Sequence, residues 1–347
     1  MKGIERCRSA GMGALCVLAA SVLWGTTGTA ATFAPDAGPL AIGAVAMGLG
    51  GLLQALAATR QIARHAPRLR TQRGTVLLGA ASVAIYPLAF YSSMHLAGVA
   101  VGTVVSIGTA PLGSALIERV VDGRQLTRRW ILAASLGLLG TALLCVTEAS
   151  HATDGTNGTG QASVVATLLG IGLGLVAAAT YALYSWAARR LITREIPSRA
   201  AMGAVFGLGG LLLLPVLLAT GAPLVNSWSN AAVGTYMALV PMFAGYVLFG
   251  WGLAHVPAST ATTLSLLEPA VAAVLAVLVV GERLPATGWT GIALVVACLA
   301  VLTTPTPATR DGQQRPRNPA TEGNTSDTQQ GALEPLLRGV DCITSDD

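Results

Sequence analysis

In this chain of 347 residues the side chain best placed to do chemistry is Glu268. It stands inside a long apolar stretch, with Thr262, Thr263 and Ser265 within two turns before it and Pro269 directly after it. An ionisable group in the middle of a bilayer costs about 2.5–3.5 kcal/mol on insertion scales, so it calls for a partner or a wet cavity. Pro269 has no N–H to donate to the Ser265 carbonyl, which opens the helix locally. Glu268, Thr263 and Ser265 therefore read as a substrate-binding or proton-coupling group. The competing reading is a protonated Glu268 that bonds to hydroxyls or backbone and locks helix packing.

Aromatic and hydroxyl residues are the next candidates: Trp24 and Thr27, Tyr86, Tyr181 and Tyr184, and Tyr246. Each lies within an apolar stretch, and a buried Tyr or Trp needs a partner for its polar tip. They are substrate-binding candidates, with core packing as the alternative. Tyr91 and Trp251, near the ends of stretches, read instead as interfacial anchors, as do His95 and His255. Pro111 and Pro269 are hinge candidates. Proline kinks in lipid are tolerated where neighbours re-satisfy the backbone. Glycines four apart at 98/102, 170/174 and 203/207 read as helix contacts.

Catalytic and cofactor motifs are missing from the sequence. It has no HExxH, no GxSxG and no Walker A motif, and no second carboxylate accompanies Glu268 in mid-span. The five cysteines have no CxxC spacing, so neither a metal site nor a disulfide framework is supported. No cofactor is expected.

The elements that must position these residues follow from hydropathy. Mean hydropathy is +0.63. Only 11% of residues are charged, against about 25% in soluble domains. Ten apolar stretches lie at 12–33, 39–58, 75–96, 98–118, 130–147, 162–188, 200–220, 231–254, 258–280 and 287–303. Their continuous runs fit membrane helices of about 20 residues, not barrel strands, which alternate over about 10. The first stretch follows basic residues like a signal peptide. It is longer than a usual signal core and is read as a retained span.

Counting spans from a cytoplasmic N-terminus places 20 of the 21 Lys and Arg residues on the cytoplasmic side, with Arg283 the exception. This is the positive-inside pattern, and it predicts cytoplasmic N- and C-termini in a plasma-membrane protein. The net charge of +5 therefore reflects topology and not nucleic-acid binding. The polar segment 148–161 reads as an outside linker between halves; its Asn157-Gly158-Thr159 is a weak glycosylation sequon. Residues 304–347 carry five Pro and seven acidic residues against four Arg, and read as a disordered cytoplasmic tail.

The chain also repeats. Tyr86, Tyr91 and His95 match Tyr246, Trp251 and His255 at an offset of 160, and Ala110-Pro111 matches Glu268-Pro269 at 158. Trp24-Gly25 matches Tyr181-Ala182 at 157. Two five-helix units are expected, 12–147 and 162–303. Five is odd, so the second enters the membrane inverted, a plan characteristic of secondary transporters. The expected fold is an all-α membrane protein of ten transmembrane helices in two inverted repeats.

On these residues the chain resembles the EamA branch of the drug/metabolite transporter superfamily. Trp24-Gly25 and the run 258–284 (ASTATTLSLLEPAVAAVLAVLVVGERL) carry the resemblance, which covers about 12–303. It implies a cavity lined by spans 1, 3, 4, 6, 8 and 9, with a small-molecule substrate and the lipid bilayer as partners. The first repeat departs from the pattern: Ala110 replaces the Glu before the mid-helix Pro, and Arg124 stands opposite Glu282. The expected function is a secondary active transporter, most simply an exporter, of amino acids, amines or drugs. The alternatives are a non-transporting membrane scaffold or sensor and, further off, an intramembrane enzyme. A sugar phosphate is disfavoured, since no Arg or Lys lies deep in a span.

Overall fold

The computed structural model of the protein describes residues 2–154, 164–280 and 285–304, and contains no strand among them. The linker at 155–163, the Gly-Glu-Arg-Leu close at 281–284 and the tail beyond 304 lie outside the described residues. Ten long helices are present among the described residues: α1 (Lys2–Ala31), α2 (Pro39–Arg64), α3 (Arg73–Ala97), α4 (99–121), α5 (Arg128–Asp154), α6 (Val164–Thr193), α7 (Ser198–Thr220), α8 (Trp228–Leu253), α9 (Ala258–Val279) and α10 (Ala286–Thr303). Nine are long and apolar enough to cross a membrane. The tenth, α5, is also a helix of 27 residues, with Arg128 and Arg129 at one end and Asp154 at the other. It continues through Asp154, so the first part of the expected 148–161 loop is helical.

The packing partners reveal the duplication. Helix α2 packs on α7, α4 on α9 and α5 on α10, each pairing a helix with its counterpart in the other half. Helix α1 packs on α8 and α9, just as α6 packs on α3 and α4. Exchanging helices 1–5 with 6–10 leaves this pattern unchanged, as a twofold relation between the halves requires.

Breaks in regular helix also correspond. A π-helical turn, Val104–Gly108, precedes Pro111 in α4. In α9 the helix is interrupted at Ser265–Leu266, just before Pro269. The Ser265 carbonyl is not left free as Pro269 alone would leave it; it accepts from the Glu268 N–H at 3.0 Å. Helix α8 holds a third irregular segment, the π-helix Ala238–Ala244 around Pro241. Proline removes a ladder bond and π-turns absorb the extra residue, so these helices are bent at identifiable points.

Two glycines have distinct tasks. Gly98 has φ +87° and closes α3 before α4 begins, so it serves a turn and not the helix contact its spacing suggested. Gly25 lies where α1 meets α9. A Cβ there would stand 2.7 Å from Val271 Cβ and 2.9 Å from the Glu268 carbonyl oxygen, so only glycine lets the two helices approach this closely.

Candidate functional site: a central aromatic cavity with one carboxylate

The packing of both halves converges on a cavity lined by α1, α2, α3, α6, α8 and α9. Six expected residues line it: Trp24, Thr27, Tyr86, Tyr181, Tyr246 and Glu268. Its aromatic wall is built twice over. Trp24 meets Tyr246 with ring centroids 4.7 Å apart, and Tyr86 meets Tyr181 at 5.6 Å, with similar tilts of 48° and 51°. Trp24 and Tyr181 are counterparts, as are Tyr86 and Tyr246. The two ring pairs are thus one contact, made once by each half.

The polar tips of this wall mostly bond to protein. The Trp24 indole N–H donates to the Pro241 carbonyl at 2.9 Å, an acceptor on the irregular segment of α8. The Tyr181 hydroxyl donates to Ser265 Oγ at 2.8 Å, and Ser265 donates onward to the Thr262 carbonyl at 2.8 Å. Tyr184 and Tyr246 share a hydroxyl–hydroxyl bond of 2.8 Å. Thr27 donates to the Trp24 carbonyl at 2.7 Å. These bonds hold the rings in place by their polar tips.

Three expected residues are not on the cavity wall. Tyr184 is fully buried behind it, packed edge-on against Tyr86 and Phe206. Ser265 sits behind Tyr181 as its acceptor. Thr263 is fully buried and donates to the Ser259 carbonyl at 2.7 Å within its own helix. Of the hinge candidates, Pro111 is buried after the π-turn of α4, and Pro269 is buried beside Glu268.

Other lining residues were missed. Tyr91, expected as an interfacial anchor, turns its ring to the cavity with Phe90. Its counterpart Trp251 does sit at the periphery, 38% exposed and against His255. Helix α2, absent from the expected lining, contributes Gly43, Ala46 and Met47.

Glu268 is half-buried at the cavity edge. Among the described residues its carboxylate has no hydrogen-bond or ion-pair partner. Among them there is also no group of three or more His, Cys, Asp or Glu that could hold a metal ion. An acid in a cavity lined by aromatic rings suits a cation or an ammonium group, since both a carboxylate and the rings of Trp and Tyr attract positive charge. The cavity itself is about 30 Å³. That is room for a water or two, which need about 10–15 Å³ each on this measure, whereas ligand pockets run to about 300–1,000 Å³. In this conformation the centre is too small to hold a ligand of that size. Larger crevices, such as one of about 480 Å³ beside Gln54, Arg199 and Met202, contain no carboxylate.

Two internally related five-helix halves around a polar-edged central cavity define a membrane transporter. The family comparison agrees: the description "EamA-like transporter family" matches twice, over residues 11–146 and 168–304. The chain belongs to this family. It is 34% identical over 289 residues to the uncharacterized transporter YwfM of Bacillus subtilis, covering 83% of this chain and 92% of that one. It is 26% identical over 224 residues to the threonine/homoserine exporter RhtA of Salmonella typhimurium, covering 62% of this chain and 68% of that one. A solved crystal structure superimposes with a TM-score of 0.66 at 21% identity, over 83% of this chain and 95% of that one, and shares the fold.

Proposed function

We propose that this protein is a secondary active exporter of small ammonium-bearing metabolites, amino acids or amines, working by alternating access. The observation that carries this reading is the carboxylate of Glu268, unpartnered among the described residues, in a cavity lined by Trp24, Tyr86, Tyr91, Tyr181 and Tyr246. A carboxylate that the protein leaves without a donor, in a site lined by rings, is complementary to an ammonium group or to a proton exchanged for one. The relative named as a threonine/homoserine exporter supports the same substrate class. The sequence has no ATP-binding motif, so the driving force is a proton or substrate gradient. The duplicated packing supplies the mechanism: halves related by a twofold axis can open toward either face by equivalent motions. Pro111 and Pro269, each behind a break in regular helix, are the proposed hinges. The proposed repeat limits are 12–147 and 162–303.

The proposed setting is the plasma membrane with both termini in the cytoplasm, supported by the distribution of 20 of 21 basic residues. The decisive experiment is counterflow in proteoliposomes against a panel of amino acids, amines and neutral amphiphiles, with and without a pH gradient. Saturable exchange of an ammonium-bearing compound is expected. Exchange confined to neutral compounds overturns the assignment. Orientation is checked separately in a background lacking native cysteines. Asn157→Cys should react with an impermeant thiol reagent in intact cells, and labelling of Arg68→Cys instead reverses the topology.

A further inference from the structure

Away from the cavity, one acidic side chain is buried and held entirely by the other half of the molecule. Glu118, near the end of α4, is 4% exposed. Its Oε1 accepts from the backbone N–H of Ala258 at 2.8 Å and of Ser259 at 3.4 Å; its Oε2 accepts from Ser259 Oγ at 2.6 Å. These donors open helix α9, the helix that carries Glu268. The residue that would ordinarily cap α9 is Pro257, which has no side-chain acceptor. The cap is supplied across the repeat boundary instead.

One turn further along α4, Asp122 accepts from the Trp186 indole N–H at 2.8 Å and pairs with Arg190 at 3.1 Å, both on α6. The same end of α4 is thereby fastened to two helices of the second half. In the proposed topology this end is cytoplasmic. The opposite face of the molecule is joined differently. Ser93 donates to the Gly170 carbonyl at 2.7 Å, Ser229 to the Phe33 carbonyl at 2.7 Å, and Thr26 bonds the Tyr236 hydroxyl at 2.7 Å. Among the described residues those bonds join neutral groups, whereas the acceptors at the end of α4 are carboxyl oxygens. The counterpart of the Glu118 contact, at the repeat offset of 158, would join Ala276 to Ala100 and Val101, which have neither carboxylate nor hydroxyl.

We infer that Glu118 is a latch: its bonds to Ala258 and Ser259 hold the cytoplasmic ends of α4 and α9 together, and they must break for the cavity to open to the cytoplasm. The inference rests on the transport reading above but is tested without transport. The alternative role is a static cap that only stabilises α9. The two differ in what loss of the carboxylate does to the two faces. Loss of a latch opens one face and closes the other; loss of a static cap loosens the molecule without sidedness.

The test uses the full chain in membrane vesicles of both orientations, without native cysteines and with one reporter at a time. Thr262→Cys, at a fully buried position within a turn of Ser259 on α9, reports access beneath the latch, and Thr27→Cys reports the cavity wall on α1. With Glu118→Ala, labelling of Thr262→Cys by an impermeant maleimide from the cytoplasmic face should rise about tenfold or more. Labelling of Thr27→Cys from the outer face should fall. Ser259→Ala removes one donor and should act in the same direction more weakly. A rise at both reporters, or no change at either, overturns the latch. If the opposed changes occur with the two faces exchanged, the latch stands and the topology fails.

Discussion

The two halves of this protein share a packing plan and differ in their chemistry. At the α1–α9 contact, Gly25 meets Val271. At the corresponding α6–α4 contact, Ala182 meets Gly113, with the small and larger partners exchanged; a Cβ at Gly113 would lie 3.2 Å from that of Ala182. The aromatic pairs Trp24–Tyr246 and Tyr86–Tyr181 are likewise one contact made twice. The acids are not duplicated. Glu268 faces the cavity from the second half, while its counterpart Ala110 is fully buried in the first. Glu118 reaches out of the first half, where the second has Ala276. Geometry that must be equivalent for opening to both faces is kept twice. The acids, which cost free energy in the membrane, are each placed in one half only.

The largest effect is expected from removing the acid at the cavity, Glu268. Glu268→Gln keeps the shape of the side chain but cannot titrate or pair with an ammonium group. Transport should fall on the order of 10- to 100-fold, the scale of one lost charge-assisted bond, and any pH dependence should flatten. Ala110→Asn, a polar group at the matching site of the first half, tests the comparison directly. It faces packed helix and no cavity, so it should lower thermal stability without altering the pH profile of what folds. Transport by Glu268→Gln with an unaltered rate and pH profile would make the two positions equivalent after all and leave Glu268 a packing residue.

A smaller effect separates the two helix contacts. Gly25→Ala puts a methyl group against Val271 and the backbone of Glu268 at distances that force a shift. Overpacking of this kind costs about 1–3 kcal/mol. Gly113→Ala meets only another methyl group at a distance the helices can accommodate by a few tenths of an ångström, so its cost should be under about 1 kcal/mol. Thermal unfolding in detergent compares them. Equal losses would show that the α1–α9 contact is no tighter than its counterpart.

Much of this was legible in the sequence because the bilayer is a strict reader. Each span needs about 20 apolar residues, and the Arg residues gather at alternate span ends, so span positions and the odd-numbered repeat follow from spacing. What faces the cavity was less legible. Thr263 and Ser265 carry hydroxyls, but a helical Ser or Thr readily bonds its own preceding turn, and both do so. Gly43 and Ala46 line the cavity by being small, which leaves no chemical mark in a chain with 41 glycines. Tyr91 stands near a helix end, where an aromatic ring normally anchors at the lipid surface; here its ring packs instead against Gly43 of α2. Glu118, beside Arg119, looks like an ordinary boundary charge. Only the fold brings the uncapped start of α9 to it.

The smallest effect is expected from the part of the chain that shares nothing with either half. Residues beyond 309 have no counterpart at the repeat offset, and they alternate Pro, Thr, Asp and Gln without apolar periodicity. Such a composition buries too little apolar surface to offset the entropy of ordering it. The family match ends at residue 304. Deleting 310–347 should therefore leave membrane insertion, thermal stability and transport within about twofold of the full chain, since the ten apolar stretches and the family match all end before it. The deletion removes four Arg and seven acidic residues together, so it also leaves the positive-inside balance to the loops that set it. Insertion is read by protease protection and transport by proteoliposome counterflow at matched protein. A truncated chain that inserts normally but no longer exchanges substrate would show that the tail controls the halves from outside the repeat, which their internal symmetry gives no reason to expect.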